Sequence, residues 1–425
     1  MPAMQFWGIA IVMALAMTAA ASRARAAETA YNVEQLVTIA YQSNPGIKAA
    51  RARWMSAQHS IKQAYAPNDP IFAYNNSDSP QNPFGPASLR QWSATEAFQF
   101  PGKAGLQTDQ ARRTAQIARL TYEAALRDTR AAVETGYYQL LLDQTSAALN
   151  RQNVENLERV LKVTQIAYTA NQVTQTDFIS AEFDLAAARQ QQAQYRVAIL
   201  NDKTALNQLL YRNTDEPLAV ETTLKLDPLT ERVDSLVDEA WEVRQEILQS
   251  ALTERNSTTA LFLAKMEYLP DFTMGFTLDN YRVPSFAPKP TQTTTWSVEA
   301  SMNVPIFFWI KQKEDVERAR HDLEAARDDM ASLRSQTAAT VTSLFRSAQY
   351  QYETSLLYRD TLTPLARQNF EVALVAYQSG KIDFTTLAAA LQRDYGSRLS
   401  YLQAANQFLA GRVALEQAIG MPLPQ

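Results

Sequence analysis

Apolar side chains recur every seven residues along one stretch of the chain: Leu126, Val133, Leu140, Ala147, Val154, Leu161 and Tyr168. A seven-residue repeat sustained over this length predicts helices packed side by side with a supercoil. The helix starts after Pro101-Gly102 and runs to about residue 170, with no proline inside it. At 1.5 Å per residue it would be roughly 100 Å long, far beyond an ordinary globular helix. A second long helix is predicted over 311–378. There Val341, Phe345, Ala348, Tyr352, Leu362, Phe370, Ala373 and Tyr377 follow spacings of four and three, with a break at Arg359. Shorter helices are predicted over 33–66, 174–211, 234–267 and 384–419.

Between these helices the period changes from seven to two. Phe272, Met274, Phe276 and Leu278 alternate with Thr273, Gly275, Thr277 and Asp279. Trp296, Val298, Ala300, Met302 and Val304 alternate with Ser297, Glu299, Ser301 and Asn303. The stretch 92–100 repeats the alternation except at Glu96, and Phe72 with Tyr74 marks a weaker fourth strand. Proline-rich loops, 80–86 and 284–290, join each strand pair and suit exposed turns.

The chain is also written twice. Leu36, Ala40, Tyr41 and Ile47 correspond to Leu236, Ala240, Trp241 and Ile247 at an offset of 200, as do Pro70 and Phe72 to Pro270 and Phe272. The offset becomes 204 where Trp92, Ser93 and Pro101 match Trp296, Ser297 and Pro305, and 209 where Ala167-Tyr168 matches Ala376-Tyr377. Repeats of this kind indicate a duplicated unit. The predicted organisation is a first repeat over 27–212, a connector over 213–233 carrying Pro217 and Pro228, and a second repeat over 234–425.

Alternation over nine to eleven residues fits either a half-buried strand of a soluble sheet or a tilted strand crossing a bilayer in a barrel. Four strands cannot close a barrel alone, and lipid tolerates no open edge. If these strands span a membrane, several copies of the chain must share one barrel.

Composition narrows the function. The chain of 425 residues has a net charge of -4, which offers no electrostatic reason to expect nucleic acid. It has no cysteine, so disulfides, thiolate metal sites, cysteine catalysis and lipid attachment through an N-terminal cysteine are excluded. Its two histidines, His59 and His321, are isolated on predicted helices and support no zinc or copper site. There is no phosphate-cradling glycine loop. Glu314-Asp315 and Asp328-Asp329 are neighbours pointing in different directions on a helix, not paired catalytic carboxylates. Neither a cofactor nor enzymatic activity is expected. Residues 1–26, with an apolar run over 6–21 and the small residues Ala24 and Ala26, read as a secretory signal peptide.

The whole mature chain resembles the TolC family of outer-membrane efflux proteins. The resemblance rests on the duplicated halves, the helix-strand-strand-helix order and the connector. It implies a mostly helical protein with a small β part: a homotrimer whose chains each give four strands to a twelve-stranded transmembrane barrel, above an α-helical duct crossing the periplasm. Two segments are similar to the heavy-metal branch, the cobalt-zinc-cadmium type: Phe100-Pro-Gly-Lys-Ala-Gly-Leu106, where strand turns into helix, and Ala376-Tyr-Gln-Ser-Gly-Lys-Ile-Asp-Phe384, between the last two helices. Pro101, Gly102 and Pro305 then mark the barrel-to-helix turns. Asn171, Asp177, Gly380, Lys381 and Asp383 would lie at the periplasmic entrance, where such channels meet an adaptor protein. Thr386 stands where a second acid would complete a cation-attracting pair with Asp383. The implied function is a passive conduit that receives heavy-metal cations from an inner-membrane pump through the adaptor. Export of small organic compounds is the alternative within transport, and a periplasmic coiled-coil scaffold is the alternative outside it.

Overall fold

A computed structural model describes residues 30–77, 89–222, 225–283 and 291–423. The signal peptide over 1–26 and the proline-rich loops over 80–86 and 284–290 lie outside the described residues. In chain order the elements are α1 (Val33–Ser43), α2 (Pro45–Tyr65), β1 (Ile71–Ser77), β2 (Leu89–Phe98), α3 (Lys103–Thr169), α4 (Gln175–Leu209), α5 (Val233–Val243), α6 (Gln245–Met266), β3 (Phe272–Val283), β4 (Thr291–Met302), α7 (Gln312–Leu357), α8 (Thr363–Gln378) and α9 (Phe384–Ile419). The order of the first six recurs in the next seven, where α7 and α8, joined by one π turn, Tyr358–Leu362, stand in the place of α3.

Local chemistry sets most of these limits. Asn32 caps α1 and exchanges hydrogen bonds with Gln35, a capping box. The single predicted helix over 33–66 is instead two, because Asn44 is extended (φ -61, ψ 121) before Pro45. Proline disfavours the helical conformation in the residue preceding it. The second repeat breaks in the same place, at Arg244 (φ -63, ψ 124), without a proline. The π turn falls on the break in heptad spacing at Arg359. Pro364 lies just beyond it and cannot donate to the carbonyl four residues back, so the backbone widens and Thr363 N–H reaches Tyr358 instead.

The chain divides into two compact units. One comprises residues through 47, 125–240 and 337 onward. Its interior is a row of apolar clusters. Leu36, Val133, Leu140, Leu206 and Leu218 centre one cluster, and Leu236, Val341, Leu415 and Ile419 another. A third joins Leu157, Val160 and Leu185 to Phe370, Leu387 and Leu391. Small residues let the helices approach closely. A Cβ on Gly136 would lie 3.0 Å from the Leu206 side chain, and one on Gly411 3.4 Å from Ala348. The connector is packed into this unit through buried Leu218 and Val220, and Val220 pairs with Tyr31.

The other unit comprises 48–124 and 241–336. It holds α2, α6, the first part of α3, most of α7 and one antiparallel sheet in the order β1-β2-β3-β4. Its helices are joined largely by polar contacts, such as Arg113 donating to Thr259 at 2.7 Å and Gln110 to the Asn256 carbonyl at 3.2 Å.

Candidate functional site

Two features carry the functional reading, one in each unit. The first is the pair of helix reversals, α3 to α4 and α8 to α9. Each long helix must end within a few residues and return. Both do so with the same backbone device. Gln172 N–H donates to the Ala167 carbonyl and Asn171 N–H to Tyr168, at 2.8 and 3.0 Å. Lys381 N–H donates to Ala376 and Gly380 N–H to Tyr377, at 2.9 and 3.0 Å. This pattern needs a left-handed residue just past the helix, which glycine or asparagine supplies at least cost. Asn171 has φ 54 and Gly380 has φ 70.

The returning helices are capped by the same two residue types in opposite order. In the first repeat Thr174 is the N-cap and Asp177, three residues on, reaches back to the Thr174 N–H at 3.0 Å. In the second, Asp383 is the N-cap and accepts from Thr386 N–H at 2.9 Å. Asp177 is therefore not the positional counterpart of Asp383; Thr174 is, and Asp177 corresponds to Thr386. Hydrogen bonds from Thr386 hold the Asp383 carboxyl below the ordinary carboxylate range.

The two reversals share a cleft of about 460 Å³, lined by Asn171, Asp177, Gly380 and Asp383 among others. Lys381 is exposed and is not among the lining residues. Beneath the cleft, Tyr377 OH donates to Thr164 Oγ1 at 3.2 Å, a buried tie between α8 and α3. Burial raises the Tyr377 phenol above its usual range.

The second feature is the sheet. Residues opposite one another in antiparallel strands share a face. The register places Tyr74, Trp92, Leu278 and Trp296 in one row and Phe72, Ala94, Phe276 and Val298 in the next. Met274 with Ala300, and Phe98 with Phe272 and Met302, continue the same face toward the helices. Glu96, opposite Met274, is its acidic exception. The other face is lined by Ser93, Thr95, Thr273, Thr277, Ser297 and Ser301. The apolar face is bare: Phe72 is 78% exposed, Trp296 70% and Trp92 59%. β1 and β4 are both edge strands.

Pro101, Gly102 and Pro305 all fall where strand passes into helix, and they belong to this second unit rather than to the cleft. Gly102 has φ 101, so a side chain there would be strained. Sequence reasoning passed over Lys103 beside it. That side chain is buried and bridges Glu267 and Asp271 at 3.1 and 3.0 Å, while Asp271 also accepts from Phe100 N–H at 2.8 Å. No local signal marks Lys103 as buried, because its partners lie in the other repeat. Also missed was Glu134 in the first unit, a buried carboxylate paired with Arg130 at 2.7 Å. Burial pushes its pKa up to about 7. Among the described residues no group of three or more His, Cys, Asp or Glu is placed to hold a metal ion.

Known proteins share this architecture. The outer-membrane channel OprN has a TM-score of 0.77 at 18% identity, covering 91% of this chain and 89% of that one. CusC, described for its transmembrane channel formation, has a TM-score of 0.78 at 12% identity, covering 92% and 93%. The Vibrio cholerae outer membrane protein VceC has a TM-score of 0.76 at 15% identity, covering 92% and 96%. At these identities the likeness is one of fold. Membership comes from the outer membrane efflux protein family model, which matches residues 36–210 and 236–421. The chain thus belongs to the outer membrane efflux protein family, the TolC-like channels.

Proposed function

We propose that the chain is the outer-membrane duct of a tripartite efflux system, a passive homotrimeric conduit from periplasm to exterior. The observation that carries the reading is the sheet, with one apolar face, one polar face and two edge strands. A soluble sheet would cover such a face, whereas three copies closing edge to edge would turn it toward lipid and line a lumen with the polar one. Family membership supports the same arrangement. In this reading 1–26 is removed on export. The repeats over 27–212 and 234–425 build the duct, and 213–233 links them.

The cleft at the helix reversals forms the periplasmic entrance. Asn171 and Gly380 shape it, Asp177 and Asp383 line it, and the exposed Lys381 is offered to the adaptor. Heavy-metal cations are the proposed cargo, on the similarity of the segments around Pro101-Gly102 and Gly380-Lys381 to that branch. Asp383 and Asp177 already accept hydrogen bonds as helix caps. Selectivity is therefore assigned to the pump, with the duct supplying passage.

The test is deletion of the gene, followed by tolerance and cellular accumulation of zinc, cobalt, cadmium, copper and silver beside a panel of hydrophobic drugs. Selective sensitivity to one metal group, restored by the intact gene, is the expected result. Unchanged metal tolerance with new drug sensitivity would refute the cargo and leave the duct standing.

A further inference from the structure

The strand-to-helix connections of the two repeats differ in one respect. In the first repeat the helix begins two residues after Pro101; in the second it begins seven residues after Pro305. The five additional residues are Ile306, Phe307, Phe308, Trp309 and Ile310, a wholly apolar run. They are 48–62% exposed. Such a run is a liability on a soluble surface unless something covers it.

The run is nevertheless built. Ile310 and Lys311 N–H both donate to the Phe307 carbonyl, at 3.0 and 3.1 Å, and Lys313 N–H donates to Phe308 at 3.0 Å. The Trp309 ring sits 5.2 Å from Phe308 and 6.0 Å from Phe307, and Phe308 leans on Tyr268 at 6.2 Å. Val304, 63% exposed, keeps the alternation of Trp296, Val298 and Met302 just past the end of β4, and the run follows it directly at the helix end of the sheet. Lys311 and Lys313 follow at once, both exposed, and neither has an acidic partner among the described residues. On α6 of the same unit, Lys265 lies 5.7 Å over the exposed Phe262 ring.

We propose that this segment is a membrane-interface anchor. Its apolar side chains enter the bilayer leaflet at the helix end of the sheet, and Lys311 with Lys313 binds the phosphates of anionic phospholipids there. Trp309, and Tyr268 beside Phe308, suit this boundary because each ring has an apolar body and one polar hydrogen-bonding end. Lysines on flexible stems keep their charge among headgroups. The two unpaired ammonium groups are what select an anionic lipid over a zwitterionic one. The inference rests on the membrane reading of the sheet given above.

The chain has no cysteine, so a single introduced thiol can be labelled without background. The full chain carrying W309C, or V298C on the sheet face, is labelled with a fluorophore and reconstituted in bilayer nanodiscs. The discs contain phosphatidylglycerol or phosphatidylcholine bearing a nitroxide near the headgroup. The label at 309 is expected to be quenched, more strongly by phosphatidylglycerol. K311Q/K313Q should abolish that preference, each ammonium near an anionic surface being worth roughly fivefold in lipid binding. Quenching at 298 but not at 309 would overturn the anchor alone, and would mean that protein covers the run. Equal quenching by both lipids, or a preference that survives K311Q/K313Q, would overturn the headgroup assignment. No quenching at either position would overturn the membrane reading of the sheet as well.

Discussion

Glu134 provides a sharp test of the packing in the first unit. Its carboxylate is buried beside Arg130, which also pairs with Glu34, while Glu416, itself paired with Arg412, lies close enough to be felt. Burial outweighs the attraction of Arg130 and moves the pKa from 4.5 to about 7. A carboxyl whose pKa rises on folding favours the folded state most below its unfolded pKa. That contribution is lost as pH climbs through the folded value. Between pH 5 and pH 8 the loss from Glu134 alone is on the order of 2 kcal/mol. Glutamine keeps the shape and never ionises. Glu134→Gln is therefore expected to be close to neutral at pH 5 and to stabilise at pH 8. The assay is unfolding of the purified full chain in detergent at both values, read as the difference between wild type and variant, which cancels groups that titrate independently of Glu134. A difference that does not change with pH would refute the assigned burial of the charge.

Other expectations follow from single positions. Tyr211 holds φ 53 where its counterpart in the second repeat is Gly420, and it is 68% exposed, so Tyr211→Gly should stabilise the chain. About 0.5–1 kcal/mol is expected in the same unfolding assay. Phe408 is fully buried, with its ring 5.1 Å from Tyr352. Phe408→Ala should cost about 3–5 kcal/mol and lower the unfolding midpoint. Gly380 has φ 70 but open space around its Cα, so Gly380→Ala tests backbone strain alone. A loss of about 1 kcal/mol is expected there, and Gly380→Asn, the residue type used at Asn171, should recover most of it.

Much of this fold was legible because its elements are periodic and long. The seven-residue spacing predicts a helix ending near 170, and α3 ends at Thr169. The interruption of spacing at Arg359 falls inside the π turn. Alternation located all four strands, although β3 and β4 extend farther from the helices than the strict pattern does. The reversal at Gly380 was readable because few residues adopt a left-handed conformation cheaply. What escaped had no marker in the adjacent sequence. The break at Arg244 has no proline to signal it, and only its counterpart before Pro45 carried a readable cue. The roles of Asp177 and Asp383 depend on which residue starts each helix, a limit that periodicity does not resolve. Glu134 looks like any helical glutamate until Glu34, a hundred residues earlier in the chain, and Glu416 near its end are brought around it.

The central claim is that sheets from separate chains join edge to edge. The cysteine-free chain permits a direct measurement. One cysteine is placed on β1, as Y74C, and one on β4, as V298C. Within one chain the two strands are separated by β2 and β3, roughly 14 Å across the sheet. A short thiol-reactive cross-linker therefore cannot easily join them in a single copy. Cross-linking the full chain in membranes and resolving the products under denaturing conditions should yield a ladder that stops at three chains. Monomers alone, or a ladder running past three, would contradict a barrel shared by three copies.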